Sequence, residues 1–203
     1  MLVRQPCGDA ALRKSSEHSE DSPAEGAADL APHDLGPNDT VVGIAASGRT
    51  PYVLGALDFA QSRGALTIAL TCVPDSAMAR VAEIAITPVT GPEILTGSTR
   101  MKAGTATKLV LNMLSTGVMI RTGAVYSNLM VNMRPTNEKL VDRAQRILMA
   151  ATGCDKPTAA ALLETAGSVK TGIVMQRLGV DQPAAEARLN AAHGRLRVAL
   201  DGK

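Results

Sequence analysis

Between Thr40 and Thr87 the chain switches repeatedly between strand-like and helix-like spacing, and this alternation limits its fold more than any other feature. Thr40 to Ala46 is a short run bearing Val and Ile, of the kind that makes a fully buried parallel strand. It ends in Ser-Gly-Arg-Thr-Pro, and helical spacing follows from Pro51 to about Ser62, with Pro51 suited to a first turn and Gly64 as the stop. Leu66 to Thr71 reads as a second strand, Asp75 to Ala82 as a short helix and Ile84 to Thr87 as a third strand. The order β-α-β-α-β implies an α/β fold with a parallel sheet, right-handed crossovers and helices on the faces of the sheet. Ligands of such sheets bind beyond the carboxyl ends of the strands, where loops and helix N-termini gather.

Either side of this frame the pattern is helical. Upstream, Ala11 to Glu20 has the spacing of a short helix and Gly26 to Leu30 of another, before punctuation at Pro32, Gly36 and Pro37. Downstream, a loop rich in Gly and Thr, Gly91 to Thr99, leads into Met101 to Arg121, which is apolar on most of its circumference and is expected to be a buried helix. Thr136 to Ala150 sets Leu140, Ala144, Ile147 and Leu148 on one stripe, as in an amphipathic helix. Three short helical patterns follow, Pro157 to Ala166, Ser168 to Leu178 and Pro183 to about Ala192, with Asp155 and Asp181 where N-caps belong. They read as a small C-terminal three-helix bundle. The division that results is 1–39 for a partial helical segment and linker, 40–151 for the α/β domain and 152–203 for the helical module.

Composition narrows the function. Aromatic residues are 1% of the chain, with no Trp, one Phe and two Tyr, so there is almost nothing to stack on bases. The net charge is +2 and the basic residues are scattered, which argues against a nucleic-acid partner. Cys7, Cys72 and Cys154 are far apart and match no metal-ligand spacing, so neither a metal nor a disulfide framework is expected. No apolar run reaches the roughly 18 to 20 residues needed to span a bilayer. The opening MLVRQPCGDAALRK meets Pro, Gly and Asp before an apolar core forms, unlike a secretion signal. A soluble cytoplasmic protein is the expectation.

Three segments hold candidate chemistry. In the turn Ala45 to Pro51, small residues let a ligand approach the backbone, and the hydroxyls of Ser47 and Thr50, with the amides of the next helix, suit a phosphate. Gly48 gives room, Arg49 adds a charge, and the plain alternative is a simple helix cap. In Gly91 to Thr105 a crowd of hydroxyls and charges, with Glu93, Ser98, Thr99 and Lys102 among them, enters the long helix. There the plain alternative is that Ser98 or Thr99 caps that helix. Glu17 lies among acids and serines, where a carboxylate is ordinarily a solvated surface group.

At these residues the chain resembles a known family. Gly43 to Val53, then Gly91-Pro92-Glu93 through Gly97-Ser98-Thr99-Arg100-Met101-Lys102-Ala103-Gly104-Thr105, then Pro135 to Leu140 are similar, in order and spacing, to the N-acetylmuramic acid 6-phosphate etherases. The resemblance runs from about Gly8 to Leu200. It implies a parallel-sheet SIS domain, a flavodoxin-like three-layer α/β/α fold missing its first βα unit, followed by a ubiquitin-associated-like three-helix module. Family members carry a further stretch upstream, including a first strand and a second catalytic glutamate. The chain by itself is therefore expected to be inactive or nearly so.

The activity implied is that of a lyase, cleaving the D-lactyl ether of N-acetylmuramic acid 6-phosphate to N-acetylglucosamine 6-phosphate and D-lactate in cell-wall sugar recycling. It needs no cofactor, and the family works as a homodimer. Residue by residue, the resemblance makes Glu17 catalytic, although Ser16, His18 and Ser19 depart from the family's surroundings while Glu20 and Asp21 agree. Ser47, Gly48, Arg49 and Thr50 become the phosphate-binding turn, and Glu93, Ser98, Thr99 and Lys102 line the pocket. The two loops are expected to face one another across a shared crevice. An aldose-ketose isomerase of the same fold, or a non-catalytic sugar-phosphate-binding regulatory protein, are the alternatives.

Overall fold

The structure, a computed structural model, describes residues 20–202. Glu17 and the helix expected from Ala11 fall outside them, apart from Glu20 at its end. The described residues form two compact units, one ending at Leu111 and the other beginning at Asn112.

The first unit is the expected α/β frame. Strands β1 (Thr40–Ile44), β2 (Leu66–Leu70) and β3 (Ile84–Ile86) form one parallel sheet in the order β1-β2-β3. Thr40 pairs with Leu66, and Ile68 with Ile84. Helix α2 (Pro51–Ser62) joins β1 to β2, and the five-residue α3 (Ala77–Val81) precedes β3. Leu57 of α2, Ala69 of β2 and Met78 of α3 are wholly buried and form the core, with Val41 and Val53 packed against it. Among the described strands only β2 is buried; Ile44 and Ile84 are exposed, because β1 and β3 are both edges of the described three-stranded sheet.

Helix α1 (Pro23–Leu30), capped by Ser22 Oγ, packs on α2 at backbone contact. Gly26 and Gly55 make this possible: a Cβ on Gly26 would stand 2.0 Å from the Tyr52 carbonyl oxygen, and one on Gly55 2.0 Å from that of Pro23. The Tyr52 hydroxyl donates to Asp29 at 2.7 Å, and the Tyr52 N–H donates to the Glu20 carbonyl at 3.0 Å. The described chain thus enters at the amino-terminal end of α2.

Helix α4 (Lys102–Arg121) corrects one expectation. Of its 20 residues only Ala103 and Val110 are buried, while Leu109, Met113, Val118 and Ile120 are more than half exposed. A helix that is apolar all round needs partners on several faces, and the described residues supply few. Among them, no helix is long and apolar enough to cross a membrane.

In the second unit, β4 (Val125–Tyr126) and β5 (Leu129–Met130) form an antiparallel hairpin the sequence patterns did not reveal. Helices α5 (Glu138–Thr152), α6 (Lys156–Ala166), α7 (Val169–Leu178), α8 (Gln182–Ala191) and α9 (Leu196–Asp201) then share a core around Leu148, Val169, Ile173, Val174 and Leu196. Asn137, Asp155, Ser168 and Asp181 each accept an N–H of the helix they start, so the two caps expected at Asp155 and Asp181 are present. The fourth short helix, α9, adds to the three expected.

Gly26→Ala tests the α1–α2 contact. Overpacking against a rigid carbonyl should destabilise the protein by about 2 to 3 kcal/mol in urea unfolding. A variant as stable as the parent would show that the close approach is not needed.

Candidate functional site

Because the three strands run parallel, the segments after β1, β2 and β3 all leave from the same carboxyl edge of the sheet. With one strand between them, the ends of β1 and β3 are roughly 10 Å apart. The turn that holds Ser47 to Thr50 follows β1, and the chain that reaches Glu93 and Ser98 follows β3.

The β1 turn is braced from beneath by the β2 exit. Gly48 has a φ of +66°, and the space where a Cβ would sit is filled by Ser76 and Thr71, with Ser76 Oγ 2.3 Å and Thr71 Oγ1 2.6 Å from that position. The Gly48 carbonyl accepts the Met78 N–H at 3.0 Å, and the Ala46 carbonyl accepts both the Cys72 N–H and the Thr71 hydroxyl. Thr71 and Ser76 are buried polar residues, 1% and 6% exposed. Sequence reasoning missed both. A hydroxyl closing a strand and another opening a short helix gave no signal until the fold set them under Gly48.

Within the turn, the Arg49 N–H lies 3.4 Å from Ser47 Oγ, and Arg49 itself is exposed. Thr50 occupies the N-cap position of α2 without using its side chain as a cap, so its hydroxyl is not committed to the helix. The helix offers an anion fewer amides than its sequence suggests. Pro51 has no N–H, and that of Tyr52 is taken by Glu20.

The second segment is organised by Glu93. Its Oε2 accepts the Lys102 N–H and its Oε1 the Ala103 N–H, each at 3.0 Å, so this carboxylate, rather than Ser98 or Thr99, caps α4. Lys102 Nζ donates to the Pro92 carbonyl at 2.9 Å. Ser98 N–H closes a turn on Leu95 O at 3.0 Å, with Gly97 at a φ of +84°, and the Thr99 carbonyl accepts the Gly104 N–H. The hydrogen bonds from Ala103 and then Lys102, with the Lys102 charge, hold the Glu93 carboxyl below its ordinary value of 4.5, against the opposing effect of desolvation.

No hydrogen bond among the described residues joins the Ser47–Thr50 turn to Gly97–Thr99. Two open grooves lie elsewhere. One is bordered by Thr90, Ile94, Met101, Lys102, Thr105 and Leu109, beside the second segment. The other, at the start of α5, is bordered by Thr136, Asn137, Glu138, Asp142 and Lys156, in the second unit. The Pro135–Leu140 motif there supplies the Asn137 cap of α5.

Two measurements probe this geometry. Gly48→Ala forces a Cβ into Ser76 at a left-handed backbone position, and should cost about 2 kcal/mol or more in urea unfolding. For Glu93, a depressed folded value means its contribution is present above pH 4.5 and lost as pH falls through the folded value. The amide signals of Lys102 and Ala103 should therefore titrate with a midpoint below 4.5, and a midpoint above it would contradict the clamp.

Comparison with known proteins bears on the same segments. The SIS domain family matches residues 18–117. An N-acetylmuramic acid 6-phosphate etherase of Enterobacter sp. (strain 638) is 55% identical over 96% of this chain, and the chain covers 66% of that protein. The one from Serratia proteamaculans (strain 568) is 55% identical over 95% of the chain, with 65% of its own length covered. That from Vibrio atlanticus (strain LGP32) is 54% identical over 96%, with 64% covered. The chain thus spans just under two thirds of the curated relatives it matches. At 54–55% identity over 95–96% of its length, the chain is similar to the N-acetylmuramic acid 6-phosphate etherases, and its residues 18–117 match the SIS domain family.

Proposed function

We propose that the carboxyl edge of the sheet binds a phosphorylated amino sugar, and that the site serves a lyase cleaving the D-lactyl ether of N-acetylmuramic acid 6-phosphate. What carries the reading is the 55% identity to an etherase across 96% of the chain, together with the topology that sends both candidate loops out from one sheet edge. Ser47 and Thr50 are assigned to the phosphate, Gly48 lets it approach the backbone, and Arg49 supplies charge at the rim. Ser98, Thr99 and Lys102 are assigned to the sugar side of the same crevice, with Glu93 at its margin.

The chemistry asked of the site is proton transfer. With the sugar ring open, a carboxylate removes the C2 proton beside the C1 aldehyde, the electron pair forms the C2–C3 double bond, and the C3–O bond breaks. D-Lactate leaves with a proton from an acid. Water then adds its hydroxyl at C3, a proton returns to C2, and N-acetylglucosamine 6-phosphate results. Two groups in opposite protonation states suit this sequence. Glu17, outside the described residues, is assigned one of the two transfers, and the described chain begins three residues later, at the amino-terminal end of α2. The division into 1–39, 40–151 and 152–203, a cytoplasmic location and a homodimeric assembly belong to the same proposal.

The test is D-lactate release from N-acetylmuramic acid 6-phosphate by the purified chain, with sugar-phosphate binding measured in parallel. The lyase reading expects release that Glu17→Gln abolishes while binding persists. Such release would also overturn the expectation that the chain by itself is nearly inactive. Binding without release favours a regulatory sugar-phosphate binder, and loss of both removes the reading altogether.

A further inference from the structure

The loop that carries Ser98 and Thr99 is tied at its entry and its exit to one side chain. Both carboxylate oxygens of Glu93 are engaged by backbone N–H groups, those of Lys102 and Ala103, at 3.0 Å each. Lys102 Nζ returns to the Pro92 carbonyl at 2.9 Å, so three bonds join the two ends of the segment. An ordinary side-chain cap reaches three residues along the chain, as Asn137, Asp155 and Asp181 do here. Glu93 reaches nine and ten residues, which closes a loop as well as starting a helix.

We infer that Glu93 is a positioning residue: it acts on the substrate through the Ser98–Thr99 loop, whose shape it sets, without itself touching the sugar phosphate. The inference rests on the reading above, in which Ser98 and Thr99 line the sugar side of the crevice. It assigns Glu93 a role different from the pocket-lining one that the resemblance implies.

Three considerations support it. First, each of the two oxygens is held by a directed backbone donor from the far end of the loop, so the orientation of the side chain is set by the segment it closes. Second, its negative charge sits at the amino end of a 20-residue helix, where the helix dipole favours an anion and holds the side chain in place. Third, the same charge shuts that helix end to phosphate. An anion placed against the Lys102 and Ala103 amides would displace Glu93 or meet it at close range. The labour is therefore divided: the β1 turn, with Ser47, Thr50 and Arg49, takes the phosphate, and the Glu93-closed loop presents hydroxyls to the sugar. The lowered carboxyl value means that the clamp is ionised, and so closed, at neutral pH.

The experiment compares the unsubstituted chain with Glu93→Ala, Glu93→Asp and Ser47→Ala. The two readouts are amide hydrogen exchange at Lys102 and Ala103, and affinity for N-acetylmuramic acid 6-phosphate by calorimetry. Glu93→Ala should speed exchange at both amides and weaken affinity about tenfold, the scale of losing charge-assisted hydrogen bonds. Glu93→Asp, one methylene shorter, should restore part of each. Ser47→Ala should weaken affinity and leave the two amides protected. Should Glu93→Ala not fold, Glu93→Gln, which keeps one acceptor oxygen, is read by the same criteria. Faster exchange with unchanged affinity would overturn the inference by making Glu93 a helix cap alone, and lost affinity with protected amides would overturn it by making Glu93 a direct ligand. Failure of the unsubstituted chain to bind the sugar phosphate would sink the functional reading and the inference with it, an outcome separate from either of those.

Discussion

The arrangement of the first unit depends on β2 pairing in parallel with a strand on each side. Leu66–Leu70 takes Thr40–Ile44 on one edge and Ile84–Ile86 on the other, all in one direction. That shared direction is the constraint from which the site follows. It sends the Ser47–Thr50 turn, the Thr71–Ser76 exit and the long segment holding Glu93 out of the same edge, although more than forty residues of sequence separate the first from the last. An antiparallel neighbour would have carried one of these segments to the opposite end of the sheet.

Polar groups at that edge serve largely to fix backbone. Thr71 and Ser76 are buried beneath Gly48, and the Thr71 hydroxyl donates to the Ala46 carbonyl beside the turn. Ser76 caps α3, whose Met78 N–H donates to the Gly48 carbonyl, and Glu93 accepts an amide N–H on each oxygen. Rigid loops on a packed scaffold suit the proton transfer proposed for this site, since the groups concerned must be within hydrogen-bond reach of the atoms they serve. The hydroxyl of Thr50 is a contrast. It stands where a capping side chain belongs and does not cap, and it is among the groups assigned to the ligand.

Much of the fold was legible because it rests on short-range rules. Helix α2 begins at Pro51 and ends at Ser62 as its spacing implies, since Pro at a first turn and apolar residues at helical intervals are local signals. Asp155 and Asp181 cap their helices because an acid at that position bonds the chain three residues ahead. Helix α4 went the other way. Its composition is that of a buried helix, yet Leu109, Met113, Val118 and Ile120 are exposed, because apolar character states a preference for burial and says nothing of which surface provides it.

By itself, the sequence determined the alternation of strands and helices, the parallel character of the sheet, the position of the hydroxyl-rich turn and the family resemblance, all of which follow from local periodicity and from motifs contiguous in the chain. The tertiary structure alone decided what those motifs touch. It set Thr71 and Ser76 under Gly48 and Tyr52 against Asp29, and it turned Glu93, read as one pocket residue among several, into the closure of a loop. The reason is reach. A side chain's spacing along the sequence reports its neighbours within a turn or two, whereas bonds between residues 9 or 23 positions apart exist only once the backbone has folded to bring them together.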